Sequence, residues 1–174
     1  MMTKTRFSAA RLLIIAVLLA IGYATCHAQQ TSRLQALYLY NFAKNTSWAT
    51  TDKPLTITVV ADKAVAKDLK TITANKQVGG RRVVIAESAS AQGITDADIV
   101  FLGEAKSAQI ETLVSEQAAN KVLIVSGTKG HCSKGAHIAF ELANGKFTYS
   151  ISEANIERHG LTVSRTLITS GKAL

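Results

Sequence analysis

The apolar positions of this chain begin as one solid block and then break into periodic patterns. Lys4, Arg6 and Arg11 precede an uninterrupted apolar run from Leu12 to Ala24, and Cys26-His27-Ala28 then offers small residues ahead of Gln29. The run is shorter than the about twenty residues a membrane span needs. Basic, apolar and small-residue segments follow one another in the order of a secretory leader, so residues 1–28 are expected to be a cleaved signal peptide and residues 29–174 a single exported domain.

Beyond the leader the spacing turns helical. Ser32-Arg33-Leu34-Gln35 has the form of a capping box, and Leu34, Leu37, Tyr38 and Phe42 follow at helical intervals, which predicts a helix from Arg33 to Asn45. Leu39, Tyr40 and Ala43 make its other side apolar as well. Such a helix is either buried all round or keeps one flank for a partner.

The middle of the chain reads as strands alternating with helices. Leu55 to Val60, Arg82 to Ile85, Ile99 to Leu102 and Val122 to Val125 are strand candidates; Val65, Leu69 and Ile72 share one helical face, and Ile110, Leu113 and Val114 another. Short, continuous apolar strands separated by helices fit a mostly parallel sheet flanked by helices, an α/β fold.

Near the end the period becomes two. With Asn144-Gly145 as a two-residue loop, Leu142 pairs with Phe147, Phe140 with Tyr149 and Ile138 with Ile151, so the large apolar side chains share one face of an antiparallel hairpin. The other face carries His137, Ala139 and Glu141 opposite Thr148, Ser150 and Ser152, and the alternation predicts that it meets solvent. Ser152 should cap a short helix ended by Gly160, and Ser164 should start another.

Charge and composition add limits. The leader takes three of the 20 basic residues and none of the 12 acidic ones, leaving a formal charge of +5 in place of +8. Export makes nucleic acid, ATP and soluble nicotinamide poor partners. Cleavage also removes Cys26, so Cys132 is left without an internal disulfide partner, though exposed it could cross-link two chains in a homodimer. Tyr23-Ala24-Thr25 lacks the residues that usually precede a lipidated cysteine.

Candidate chemistry is sparse. His131, Cys132 and His137 are metal-capable types within seven residues, but their spacing matches no usual zinc pattern, and no metal is assigned. Gly127-Thr128-Lys129-Gly130 lacks the order of a phosphate-wrapping loop. Gly79-Gly80 reads as a turn before Arg81 and Arg82, which together with Arg158 and Arg165 are the candidates for holding a small anion in a cleft. No nucleophile elbow or paired carboxylate suggests catalysis, and no cofactor is implied.

Leu37-Tyr38-Leu39-Tyr40-Asn41-Phe42-Ala43-Lys44, with Trp48 shortly after, resembles the opening of the YfiR-like family of exported bacterial proteins. The likeness continues through the strands to Tyr149-Ser150-Ile151-Ser152 and the closing Gly160-Leu161-Thr162-Val163-Ser164. It implies a non-enzymatic periplasmic regulator that binds the outer, sensor part of a membrane diguanylate cyclase or kinase and represses cyclic di-GMP signalling. The family's better-known member carries disulfide-forming cysteines tied to a redox response, one of them just before the third strand, where this chain has Ala97-Asp98, so the redox switch does not carry over. Tyr40, Asn41, Lys44 and Trp48 are the candidate partner-binding residues, and Tyr40 and Trp48 are equally candidates for the core.

Overall fold

The computed structural model describes residues 30–48, 52–143 and 146–174. The expected leader and the Asn144-Gly145 loop lie outside them. Residues 30–44 form helix α1, which buries Ala36, Leu39, Phe42 and Ala43 completely. Ser32 lies within this helix and its hydroxyl donates to Asp68 Oδ2 at 2.7 Å, so it is not the expected cap. The helix already runs through the position where that cap was placed. Leu37, expected on the apolar face, is 45% exposed.

The last turn of α1 explains the polar residues of its motif. Asn45 Nδ2 donates to Asn41 O at 2.9 Å, Thr46 Oγ1 to Phe42 O at 2.9 Å and Trp48 Nε1 to Ala43 O at 2.7 Å. Ala43 O, which the helix end leaves without a backbone donor, is thereby satisfied by a side chain, while Asn41 O and Phe42 O each accept a side chain besides Asn45 N at 3.1 Å. The chain then enters strand β1 (Thr46–Ser47).

Next come β2 (Leu55–Val60), helix α2 (Lys63–Thr73), β3 (Gln77–Val78), β4 (Arg81–Ser88) and β5 (Ile99–Leu102). Asp62 caps α2 by accepting from Val65 N at 3.0 Å. Gly79 and Gly80, both at positive φ, make the two-residue turn between β3 and β4, a geometry that glycine adopts without a Cβ penalty. A 3₁₀ turn (Glu104–Gln109) leads into α3 (Ile110–Glu116) and β6 (Leu123–Ser126), and a second (His131–Lys134) precedes the hairpin of β7 (Ile138–Ala143) and β8 (Lys146–Ile151). Helix α4 (Glu153–Arg158), β9 (Thr162–Val163), α5 (Arg165–Ser170) and β10 (Lys172–Ala173) complete the chain. Ser152 and Ser164 cap α4 and α5 as expected.

The main sheet runs β10-β8-β7-β6-β5-β2-β4-β3, with β4, β2, β5, β6 and β7 mutually parallel. Counting those five in chain order gives 2-1-3-4-5, a doubly wound arrangement whose direction of growth reverses between β2 and β5. The fold is therefore the expected mostly parallel α/β sheet with an antiparallel hairpin. Ile99, Phe101, Leu123 and Val125 point into a core shared with α1 and α2, and Val100, Leu102 and Ile124 into one shared with α3. Both faces are covered, which is why these strands are apolar throughout.

The hairpin has the predicted register, Leu142 with Phe147, Phe140 with Tyr149 and Ile138 with Ile151. Its other face does not meet solvent as the alternation suggested. His137 and Ala139 are fully buried, and Glu141, Ser150 and Ser152 nearly so. The His131–Lys134 turn and the start of α4 lie over it: Asn155 Nδ2 donates to Cys132 O and Ala136 O, both at 2.8 Å, and Ser150 Oγ donates to Glu141 Oε1 at 3.0 Å. Polar residues at alternate positions here are hydrogen-bonded interior.

Antiparallel pairing of β1 with β9, joined by Ser164 Oγ donating to Asn45 Oδ1 at 2.8 Å, ties the end of α1 to the carboxyl-terminal segment. Tyr149 reaches the same segment, its hydroxyl donating to Leu167 O at 2.7 Å. A Cβ on Gly171 would lie 2.3 Å from the Tyr149 ring, so this contact requires glycine. Replacement Gly171→Ala is expected to lower stability by about 1–3 kcal/mol through overpacking, read as a reduced urea midpoint at unchanged slope.

Candidate functional site

The expected partner-binding residues gather at one end of α1. Tyr40 is half-buried against the core, with Lys44 Nζ 5.8 Å and Lys76 Nζ 5.1 Å from its ring centroid, within the range of cation–π attraction. Asn41 and Lys44 are exposed, and Trp48 is half-buried with its indole N–H on Ala43 O. Leu37 stands three and four residues before Tyr40 and Asn41, so Arg33, Leu37, Asn41 and Lys44 form one exposed stripe. Leu37 and Lys76 were not singled out from the sequence: helical spacing put the first inside, and the second comes from the turn after α2.

The four arginines take different roles. Arg81 is buried, donating through Nη1 and Nη2 to Asp98 at 3.0 and 2.7 Å, through Nε to Lys53 O at 2.9 Å and through Nη2 to Pro54 O at 2.8 Å. Its fork binds the chain's own carboxylate and carbonyls. Asp98 in turn accepts from Thr56 N at 2.8 Å, so the ion pair fastens β4 to the starts of β2 and β5. Arg82 is exposed on the opposite face of β4, Arg158 is exposed on α4, and Arg165 borders a groove of about 300 Å³ between α4 and α5.

The metal-capable residues separate as well. Ser126 Oγ and His131 Nδ1 are 2.8 Å apart, and the hydroxyl also accepts from Thr128 N at 3.1 Å. Burial first, and Lys134 second, lowers the His131 pKa. This serine–histidine pair went unseen in the sequence because no motif spacing marks it. Ser126 is fully buried, so the pair braces the turn after β6 instead of facing a substrate. Among the described residues no group of three or more His, Cys, Asp or Glu is placed to hold a metal.

His137 turns inward. Its Nδ1 accepts from Ile124 N at 2.8 Å, which leaves Nε2 as the protonated nitrogen, 3.0 Å from His159 Nδ1. His159 Nδ1 therefore accepts, cannot also donate to Asn155 O at 3.1 Å, and carries its proton on Nε2, which is buried without a partner among the described residues. Desolvation, reinforced by repulsion from His159, pushes the His137 pKa down to about 3. Cys132, 5% exposed, has its thiol pushed up to about 11 by burial first, with the Glu141 charge adding to it.

The described residues form a doubly wound α/β domain that presents a helix flank and open grooves on its outside. The chain belongs to the YfiR/HmsC-like family, whose model matches residues 32–171. A crystal structure of a conserved domain protein from Vibrio cholerae O1 biovar El Tor aligns with a TM-score of 0.56 at 13% identity over 82% of this chain. This chain spans 59% of that one, and the likeness is one of fold. No protein of curated description matches the sequence. No helix among the described residues is long and apolar enough to cross a membrane.

Two outcomes follow from the buried groups. Below its ordinary value of 6.5 the unfolded His137 takes up a proton that the folded one refuses until about 3, so stability falls progressively as pH drops through that window. By pH 5 the loss is roughly 2 kcal/mol, and urea unfolding of wild type and His137→Gln should show the pH dependence flattened in the variant. Cys132 should resist iodoacetamide in the native protein at neutral pH and react once unfolded; non-reducing electrophoresis of native protein should then show no cross-linked pair, against the cross-link that an exposed thiol would permit.

Proposed function

We propose that this protein is a periplasmic regulator, exported through residues 1–28, that binds the outer part of a membrane signalling protein and holds its output down. Membership of the YfiR/HmsC-like family over residues 32–171 carries the reading, because members of that family are regulators of diguanylate cyclase signalling rather than enzymes. A diguanylate cyclase is the favoured partner and a kinase the alternative.

The surface that best suits the contact is the outer stripe of α1. It offers an exposed apolar residue, Leu37, and a half-buried aromatic, Tyr40, framed by Arg33, Lys44 and Lys76. Aromatic anchors with a charged rim are the composition of interface centres, and the basic rim favours an acidic partner surface. Regulation then works as a shift of population: whatever weakens this contact frees the partner.

Affinity capture from detergent-solubilised envelope should retain a membrane cyclase or kinase on the wild-type protein. Leu37→Asp and Lys44→Glu, both at exposed positions, should reduce recovery at least about tenfold together, at unchanged melting temperature. Undiminished recovery would move the interface off α1. Failure of cross-linked wild-type protein to retain any membrane signalling protein would remove the regulator reading itself.

A further inference from the structure

Helices α1 and α2 lie side by side on one side of the sheet, since Ser32 of the first reaches Asp68 of the second and both pack on one core, while α3 covers the opposite side. The two sides differ in charge. On α2, Lys63, Lys67 and Lys70 are exposed at intervals of four and three residues, which makes one helical face about 10 Å long, and exposed Lys76 follows just past its end. On the far side α3 carries exposed Glu111 and Glu116 and no basic residue, with exposed Glu104 in the turn before it.

The carboxylates beside the lysine face are already committed. Asp62 caps α2 by accepting from Val65 N, Asp68 accepts the Ser32 hydroxyl, and Glu87 takes Lys70 Nζ at 2.6 Å. Lys63, Lys67 and Lys76 form no ion pair among the described residues, although Lys76 Nζ stands over the Tyr40 ring. The other exposed residues of α2 are Ala64 and Thr71, which offer no aromatic or large apolar anchor. Protein interfaces centre on aromatic and arginine side chains and are depleted in lysine. A cluster of lysines, each a compact charge on a flexible stem, matches a smooth anionic lipid surface instead.

We infer that the lysine face of α2 is a docking surface for an anionic phospholipid bilayer. Long-range attraction acts on the whole charge distribution, so the molecule approaches with α2 toward the headgroups and the acidic α3 turned away. Docking of this kind brings the α1 stripe, on the same side of the sheet, close to the bilayer where the outer part of a membrane protein stands. The inference takes export from the regulator reading but needs no protein partner, so failure of vesicle binding and failure of partner capture are separate results.

The test is co-sedimentation of the exported protein, released by osmotic shock and purified, with vesicles of phosphatidylglycerol and, separately, of phosphatidylcholine. At about 0.05 M NaCl the protein should pellet with the anionic vesicles and stay in solution with the neutral ones, and raising the salt to about 0.5 M should release it by screening. Lys63→Glu combined with Lys67→Glu, both at exposed positions, should weaken binding at least about tenfold at unchanged melting temperature. Lys106→Glu combined with Lys121→Glu makes the same change of net charge on the α3 side and should bind within about threefold of wild type. No binding to phosphatidylglycerol, equal binding to phosphatidylcholine, indifference to salt, or equal affinity of the two double variants would overturn the assignment.

Discussion

The docking of α1 onto the hairpin through aromatic rings is the contact on which the rest of the molecule depends. Phe42 meets Tyr149 edge-on at 5.0 Å and stacks on Phe140 at 5.8 Å, and Tyr38 touches Phe147 at 5.8 Å. Such pairs add about 0.5–1.5 kcal/mol each beyond the area they bury. They bring the amino-terminal helix across strands that come a hundred residues later, and so set which flank of α1 is covered and which is left outside. The exposed stripe of Leu37, Asn41 and Lys44 is the geometric remainder of that docking.

Much of the architecture could be read from periodicity. Ile99 to Leu102 is a strand at the predicted residues, and the hairpin register follows residue for residue from Asn144-Gly145 and the alternation around it. Both depend on near neighbours in sequence, which a period describes. Ser32 misled because a capping motif does not say where a helix starts, and here the helix includes the motif. The outer hairpin face misled for a different reason. Alternation separates two faces but does not report what packs on each, and the cover over His137 comes from the turn before β7 and from Asn155, far along the chain.

The site was less legible than the fold. Arg81 looked available because its partner, Asp98, reaches it only once β4, β2 and β5 lie side by side. Asn41 and Trp48 read from the sequence as surface chemistry, yet Asn41 Oδ1 and Trp48 Nε1 serve the end of α1, which only the hydrogen bonds reveal. Nothing in the sequence marks the lysine face of α2 as one side of a charge division, because that division arises only when α2 and α3 take opposite sides of the sheet.

The ladder of β1 with β9, and the bond from Ser164 to Asn45 across 119 residues, have a meaning for how the chain comes to be folded. Helix α1 precedes every other described element, but the surfaces that cover Phe42 and meet its far end come from residues 140–164. A nascent copy therefore carries an uncovered aromatic helix until residues 140–164 have been made, and long-range closure of this kind is slow and prone to side associations. Truncation near the carboxyl terminus would leave a polypeptide with an intact sheet centre and nothing to close over its oldest helix.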